Sequence, residues 1–139
     1  MASCFASGIG ETPLARLSGP QRAPRSGDQP QSLVVLLHGR GSNGDDLIGL
    51  ADVIAGEFPE TAFHSPNAPM EMGAFGFMWF SIESTNDREY AINQSAAMIE
   101  EFVDELAVTY QLAASKIALV GFSQGSIMSI HIGPRTQKQ

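Results

Sequence analysis

The chain has 139 residues, about one domain, with 43% hydrophobic and 17% charged residues, the balance of a folded globular protein and not of a disordered or fibrous one. Its formal net charge of −7 excludes a general nucleic-acid binder, which needs a basic surface to release counterions. A single cysteine, Cys4, rules out an intrachain disulfide and makes a reducing compartment, the cytoplasm, the expected location.

Residues 1–32 are rich in Gly, Pro, Ser and Arg, with Pro13, Pro20, Pro24 and Pro30 breaking any regular element. They read as an irregular N-terminal arm, with room for a short strand around Leu14 to Leu17, ahead of one domain over 33–139. The opening MASCFASGIGETPLAR has no basic stretch leading into an unbroken apolar one, so no secretory signal is expected. No run approaches a membrane span.

The first regular element is Leu33 to Leu37, LVVLL, a continuous apolar run suited to an interior parallel strand. It ends in the glycine-rich loop His38-Gly39-Arg40-Gly41-Ser42-Asn43-Gly44, at the end of a strand where open α/β sheets place their ligands. No Gly-Lys-Ser/Thr follows, so this is not a phosphate loop. A helix is expected from Asp45 or Asp46 to about Ala55, with Leu47, Leu50, Ala51 and Ile54 on one face and acids at the end where the helix dipole favours them.

Thr61 to Ser65 reads as a short strand closed by Pro66 and Pro69. Residues 70–83 hold Phe75, Phe77, Met78, Trp79 and Phe80 with glycines at 73 and 76, read as a loop whose aromatics either plug the rim of the core or line an apolar pocket. Asn86 followed by Glu89 resembles a capping box. A long helix then carries Ile92, Ile99, Phe102, Val103, Leu106 and Tyr110 at helical spacing. Fourteen of the fifteen acids fall between residues 26 and 115 against only Arg40 and Arg88, and those on this helix read as its solvated face.

Ile117 to Gly125, IALVGFSQG, is the stretch with chemical content. An apolar run expected to be buried on both faces is followed by Gly121-Phe122-Ser123-Gln124-Gly125, the G-x-S-x-G pattern of a strand that turns sharply into a helix and leaves a serine at the bend. Ile127, Met128, Ile130 and Ile132 make the helix after it look well buried. Alternating strands and helices imply a parallel sheet with helices on both faces. Should the strands ending at His38 and Gly121 be neighbours, their loops open onto one crevice. An ester or thioester carbonyl attacked by Ser123 Oγ would then develop charge facing two backbone amides, those of Gln124 and Arg40.

LVVLLHGRGSNGDDLIGLA, SPNAP, WFS and KIALVGFSQGSIMSIHIG, in that order, resemble the carboxylesterase and phospholipase branch of the α/β-hydrolase superfamily, which includes the acyl-protein thioesterases. The resemblance implies a three-layer α/β-hydrolase fold with a mostly parallel sheet. It also implies Ser123 as nucleophile, Gln124 and Arg40 as oxyanion donors, the Trp79 region as part of the acyl pocket, a small ester or acyl substrate, and no cofactor. Arginine at position 40, usually apolar or aromatic in the family, leaves its backbone donor intact. In the family's chain order an acid and then a histidine follow the serine. Here no acid follows Ser123, and the one histidine that does, His131, lies eight positions on, about 12 Å along the same helix.

The expected reading is therefore a fold truncated before its last strands, without the triad acid and base, and nearly inactive alone. Its alternative is a non-catalytic protein that binds apolar ligands or partners. A missing neighbouring strand would leave IALVG as an open apolar edge, inviting self-association. His38, His64 and His131 lack metal-ligand spacing and read as structural or packing residues.

Overall fold

The computed structural model describes residues 16–74, 76–83 and 87–136, with side chains to residue 133. Among the described residues, six strands and three α-helices follow in the order β1 (Gln21–Arg22), β2 (Ser32–Leu37), α1 (Gly44–Ile54), β3 (Thr61–His64), β4 (Met70–Met72), β5 (Gly76–Met78), α2 (Arg88–Tyr110), β6 (Ile117–Gly121) and α3 (Gln124–Thr136). A single 3-10 turn, Ala114–Lys116, leads into β6. Four strands form a sheet in the order β1-β3-β2-β6, in which β2 pairs in parallel with both β3 and β6 and only β1 runs antiparallel.

Successive side chains of a strand point to opposite faces, and β2 divides its apolar run accordingly. Leu33, Val35 and Leu37 face a core shared with Ala96, Ile99 and Val103 of α2 and with Met128 and Ile132 of α3. Leu36 faces a second core with Phe63 and with Ile48 and Ala51 of α1. The sheet thus lies between α1 on one side and α2 with α3 on the other, the expected three layers. Helix α1 starts one residue earlier than Asp45 because Asn43 caps it, its side-chain oxygen accepting from the Asp46 amide at 2.8 Å.

Several expectations change. Residues 16–32 lie against the sheet: Leu17 is buried, the Asn67 and Ser65 amides donate to the Ser18 and Pro20 carbonyls, and β1 pairs with β3. Arg16 and Leu17 are not in a strand, and Leu14 lies outside the described residues. Met70–Met72 and Gly76–Met78 pair as two antiparallel strands, β4 with β5, where a loop was expected. Asn86 also lies outside the described residues. Asp87 precedes the first turn of α2 and makes no side-chain capping bond.

The largest correction concerns β6. It is not buried on both faces: Ile117 and Leu119 pack on the α2 and α3 core, while Ala118 and Val120 are exposed on the other face. Its hydrogen-bonded neighbour is β2, and among the described residues no strand lies on its far edge. Helix α3 is likewise only half covered, with Met128 and Ile132 buried and Ile127 and Ile130 exposed at 48% and 72%.

Candidate active site

The parallel pairing of β2 with β6 brings their carboxyl ends together, Leu37 opposite Gly121, and the Phe122 amide extends the ladder to the Leu37 carbonyl at 3.0 Å. The chain then turns at Ser123, which has φ of +55°, in the left-handed region that residues with a β-carbon seldom occupy. Such a bend requires helix and strand to touch. A β-carbon at Gly121 would run into the Gly125 carbonyl, and one at Gly125 into the Leu37 carbonyl, so the two glycines of the pattern are demanded by contact with backbone. The Ser126 and Ile127 amides both donate to the Ser123 carbonyl, starting α3 at the serine. Ser123 itself is exposed, and among the described residues no hydrogen bond engages its hydroxyl.

The loop after β2 passes directly beside it. A β-carbon on Gly39 would stand 3.2 Å from Ser123 Cβ and 3.8 Å from Ser123 Oγ. The loop is tied down on both sides. Gly41 donates to the Phe77 carbonyl at 2.8 Å and Phe77 donates back to the Ser42 carbonyl at 2.9 Å, which docks the β4–β5 hairpin onto it. The Ser42 amide and the His38 ring nitrogen Nδ1 both donate to the Gly39 carbonyl, at 3.1 and 2.7 Å. In a trans peptide the N–H points opposite to the C=O, so anchoring the Gly39 oxygen turns the Arg40 amide away from His38. Among the described residues the amides of Arg40 and Gln124 donate to nothing, although those of Gly41, Ser42, Gly125 and Ser126 all do. Two unspent donors thus occur in the two loops that meet at Ser123. The Arg40 side chain is exposed.

His38 is buried between sheet and hairpin, its ring 5.4 Å from that of Trp79. The Ala68 amide donates to Nε2 at 2.9 Å, which makes Nε2 the acceptor and leaves the proton on Nδ1. Burial pushes its pKa below the ordinary value, against smaller upward pulls from the Gly39 carbonyl and Asp46. Both nitrogens are occupied, so the ring cannot take a proton from Ser123 without dismantling the loop. His64, also buried and also shifted downward by burial, bonds the Tyr110 hydroxyl at 2.8 Å and meets Phe102 edge-on. His131 Nε2 pairs with Asn93 Oδ1 at 3.1 Å, joining α3 to α2. Each histidine holds elements together, as the sequence suggested.

Trp79 departs from its expected place in a substrate pocket. It has no exposed surface, so its side chain is a core residue and not a wall facing substrate. The physical reason is its hydrogen bonding: the indole Nε1 donates to the His38 carbonyl at 2.8 Å, the Trp79 amide to Gln124 Oε1 at 2.7 Å, and Ser95 Oγ to the Trp79 carbonyl. Sequence reasoning missed the Gln124 side chain altogether. Its carboxamide is buried, also donating to the Phe80 carbonyl at 2.8 Å, and a polar residue next to the serine carries no pattern that would reveal such a role. Among the described residues no cluster of His, Cys, Asp or Glu could hold a metal ion, and no helix is long and apolar enough to cross a membrane.

A mostly parallel sheet between helical layers, with a strained serine between strand and helix, defines the α/β-hydrolase class. The chain belongs to the phospholipase/carboxylesterase family, whose model matches residues 22–139. Among solved structures, esterase PE8 is 39% identical with a TM-score of 0.74, over 86% of this chain and 58% of its own. A phospholipase/carboxylesterase from Dyadobacter fermentans (23% identity, TM-score 0.63, 89% and 56% covered) and acyl-protein thioesterase 2 from Zea mays (22%, 0.59, 82% and 50%) share the fold. The chain therefore spans between half and three-fifths of the length of these proteins.

Proposed function

We propose that this chain carries the nucleophile and oxyanion hole of a serine hydrolase acting on carboxylic esters or thioesters. Ser123 Oγ attacks the acyl carbonyl, its oxygen takes the negative charge, and the amides of Arg40 and Gln124 donate to it. The leaving alcohol or thiol departs with a proton, and water releases the acyl group from Ser123. The observation that carries this reading is the pair of unspent amides in the two loops that meet at a strained, exposed serine. Preorganised donors of this kind are each worth about 3–4 kcal/mol of barrier. The Gln124 amide also sits at the start of a helix, where the dipole favours an anion.

Attack further needs a base within hydrogen-bond reach of Oγ. His38 and His64 are committed elsewhere, and His131 is two turns along α3. The 139 residues alone are therefore nearly inactive: in subtilisin, loss of the base costs about a million-fold in kcat, leaving a residual of about 10³–10⁴ over water. Purified chain with p-nitrophenyl acetate tests this. Hydrolysis near the buffer rate supports the reading, and efficient turnover abolished by Ser123→Ala would defeat the claim that the base is lacking.

A second reading, a non-catalytic protein that binds apolar ligands or partners, is favoured by one observation. Val120, Phe122, Ile127 and Ile130 are exposed within eleven residues around the bend, at 37–72%. Self-association through this face and the open edge of β6 belongs to either reading. Apolar-ligand binding without turnover, indifferent to Ser123→Ala, would select the second. A reducing compartment remains our expectation from the lone cysteine.

A further inference from the structure

The two donor loops of the site belong to different strands, and β2 and β6 fix only their starting points. What spans the gap beyond the strand ends is the segment Phe77–Phe80. At one end it is bonded to the Ser42 carbonyl and Gly41 amide through Phe77, and to the His38 carbonyl through the Trp79 indole. At the other it is bonded to the Gln124 carboxamide three times, from the Trp79 and Phe80 amides and to the Phe80 carbonyl. Ser95 of α2 holds the Trp79 carbonyl from behind. Gln124 and Trp79 are both buried, so these bonds face no competition from water and each broken one strands a polar group.

Helix α3 begins at Gln124, so its side chain and its unspent amide hang on one Cα. From these contacts we infer that the Gln124 carboxamide is a positioning residue: through Trp79 it sets the separation and angle between its own amide and that of Arg40. This rests on the hydrolase reading for its catalytic meaning. The mechanical coupling is independent of it. Sub-ångström placement of donors is what electrostatic stabilisation requires, because a donor aimed at the wrong point contributes little to the developing charge.

Trp79 is the chain's only tryptophan, so its indole N–H gives one resonance in a ¹H–¹⁵N spectrum. Gln124→Met keeps length and burial while removing all three bonds. It should speed hydrogen exchange of the indole N–H at least tenfold and shift the Arg40 amide, while Ile99→Val, a conservative core change in α2, does neither. Benzeneboronic acid supplies the second readout, since its boron bonds Ser123 Oγ with loss of one water and then takes up hydroxide to become a tetrahedral anion in the oxyanion hole. Adduct affinity should fall at least tenfold in Gln124→Met and stay at the wild-type level in Ile99→Val. An unchanged indole or Arg40 signal, an unchanged affinity, or an equal loss in Ile99→Val overturns the inference and leaves the hydrolase reading standing. Failure of wild-type protein to form a Ser123 adduct overturns that reading, and with it the catalytic meaning of the positioning role. Should Gln124→Met not fold, Trp79→Phe removes only the link to His38 and is held to the same Arg40 and affinity criteria.

Discussion

The two edges of the sheet are finished in opposite ways. At one, β1 contributes only Gln21 and Arg22, both exposed, with the Arg22 guanidinium held by Asp52 of α1 at 2.9 Å. Short, polar and charged, it offers little to another strand. At the other, β6 is five residues long, apolar, and exposes Ala118 and Val120 beside an α3 that exposes Ile127 and Ile130. Ser123 stands on the poorly covered side and the loop after β2 on the well-covered one. The seam between β2 and β6 therefore has to hold the site together, and the close backbone contacts of Gly121 with Gly125 and of Gly125 with Leu37 lie there.

That contrast can be broken most severely at the seam. Gly125→Val drives side-chain atoms into the Leu37 carbonyl, backbone that cannot move aside. It should cost about 3 kcal/mol or more, enough to leave little folded protein, as read by urea denaturation followed by circular dichroism. Next in size, Met128→Ala removes a fully buried side chain from the covered face of α3 and should cost about 2–4 kcal/mol by the same assay.

An intermediate effect comes from pH at the blunt edge, where His64 lies opposite Gln21. Burial lowers the folded-state pKa of both His64 and His38 below the unfolded value, so the unfolded chain binds more protons in between. Stability is full above about pH 6.5 and is lost as pH falls from there through the folded values. Denaturation midpoints at pH 7.5 and 5.5 should differ accordingly, and by less in His64→Gln, which titrates no proton. The smallest change in stability belongs to the exposed side: Ile130→Ser should stay within about 0.5 kcal/mol of wild type while reducing self-association in light scattering. A large loss of stability there would mean that α3 is covered after all.

The bend was legible in the sequence because its requirement is local: two glycines around a serine, between an apolar run and a helix, admit few other conformations. The three layers followed from alternating strand and helix patterns. The open edge of β6 was expected from the resemblance, but the exposure of Ala118 and Val120 on one face could not be read, since an apolar run looks the same whether or not a helix covers it. The β4–β5 hairpin was missed because Met70–Met78 lacks the polar alternation of a half-buried strand. Part of its reason is a backbone contact with the loop after β2, which no local pattern encodes. Trp79 was assigned to the acyl pocket by the family resemblance, and no local pattern shows that its indole is bonded to the His38 carbonyl. Gln124 was singled out in the sequence only for its amide, and its side chain, buried by tertiary contacts, left no local signal.

A crystal structure of the Ser123 adduct with benzeneboronic acid bears most directly on the site. The account predicts one boronate oxygen at about 2.7–3.1 Å from both the Arg40 and Gln124 amide nitrogens. An adduct whose oxygens reach neither amide, or a Ser123 hydroxyl turned away from the Gly39 loop, would contradict it.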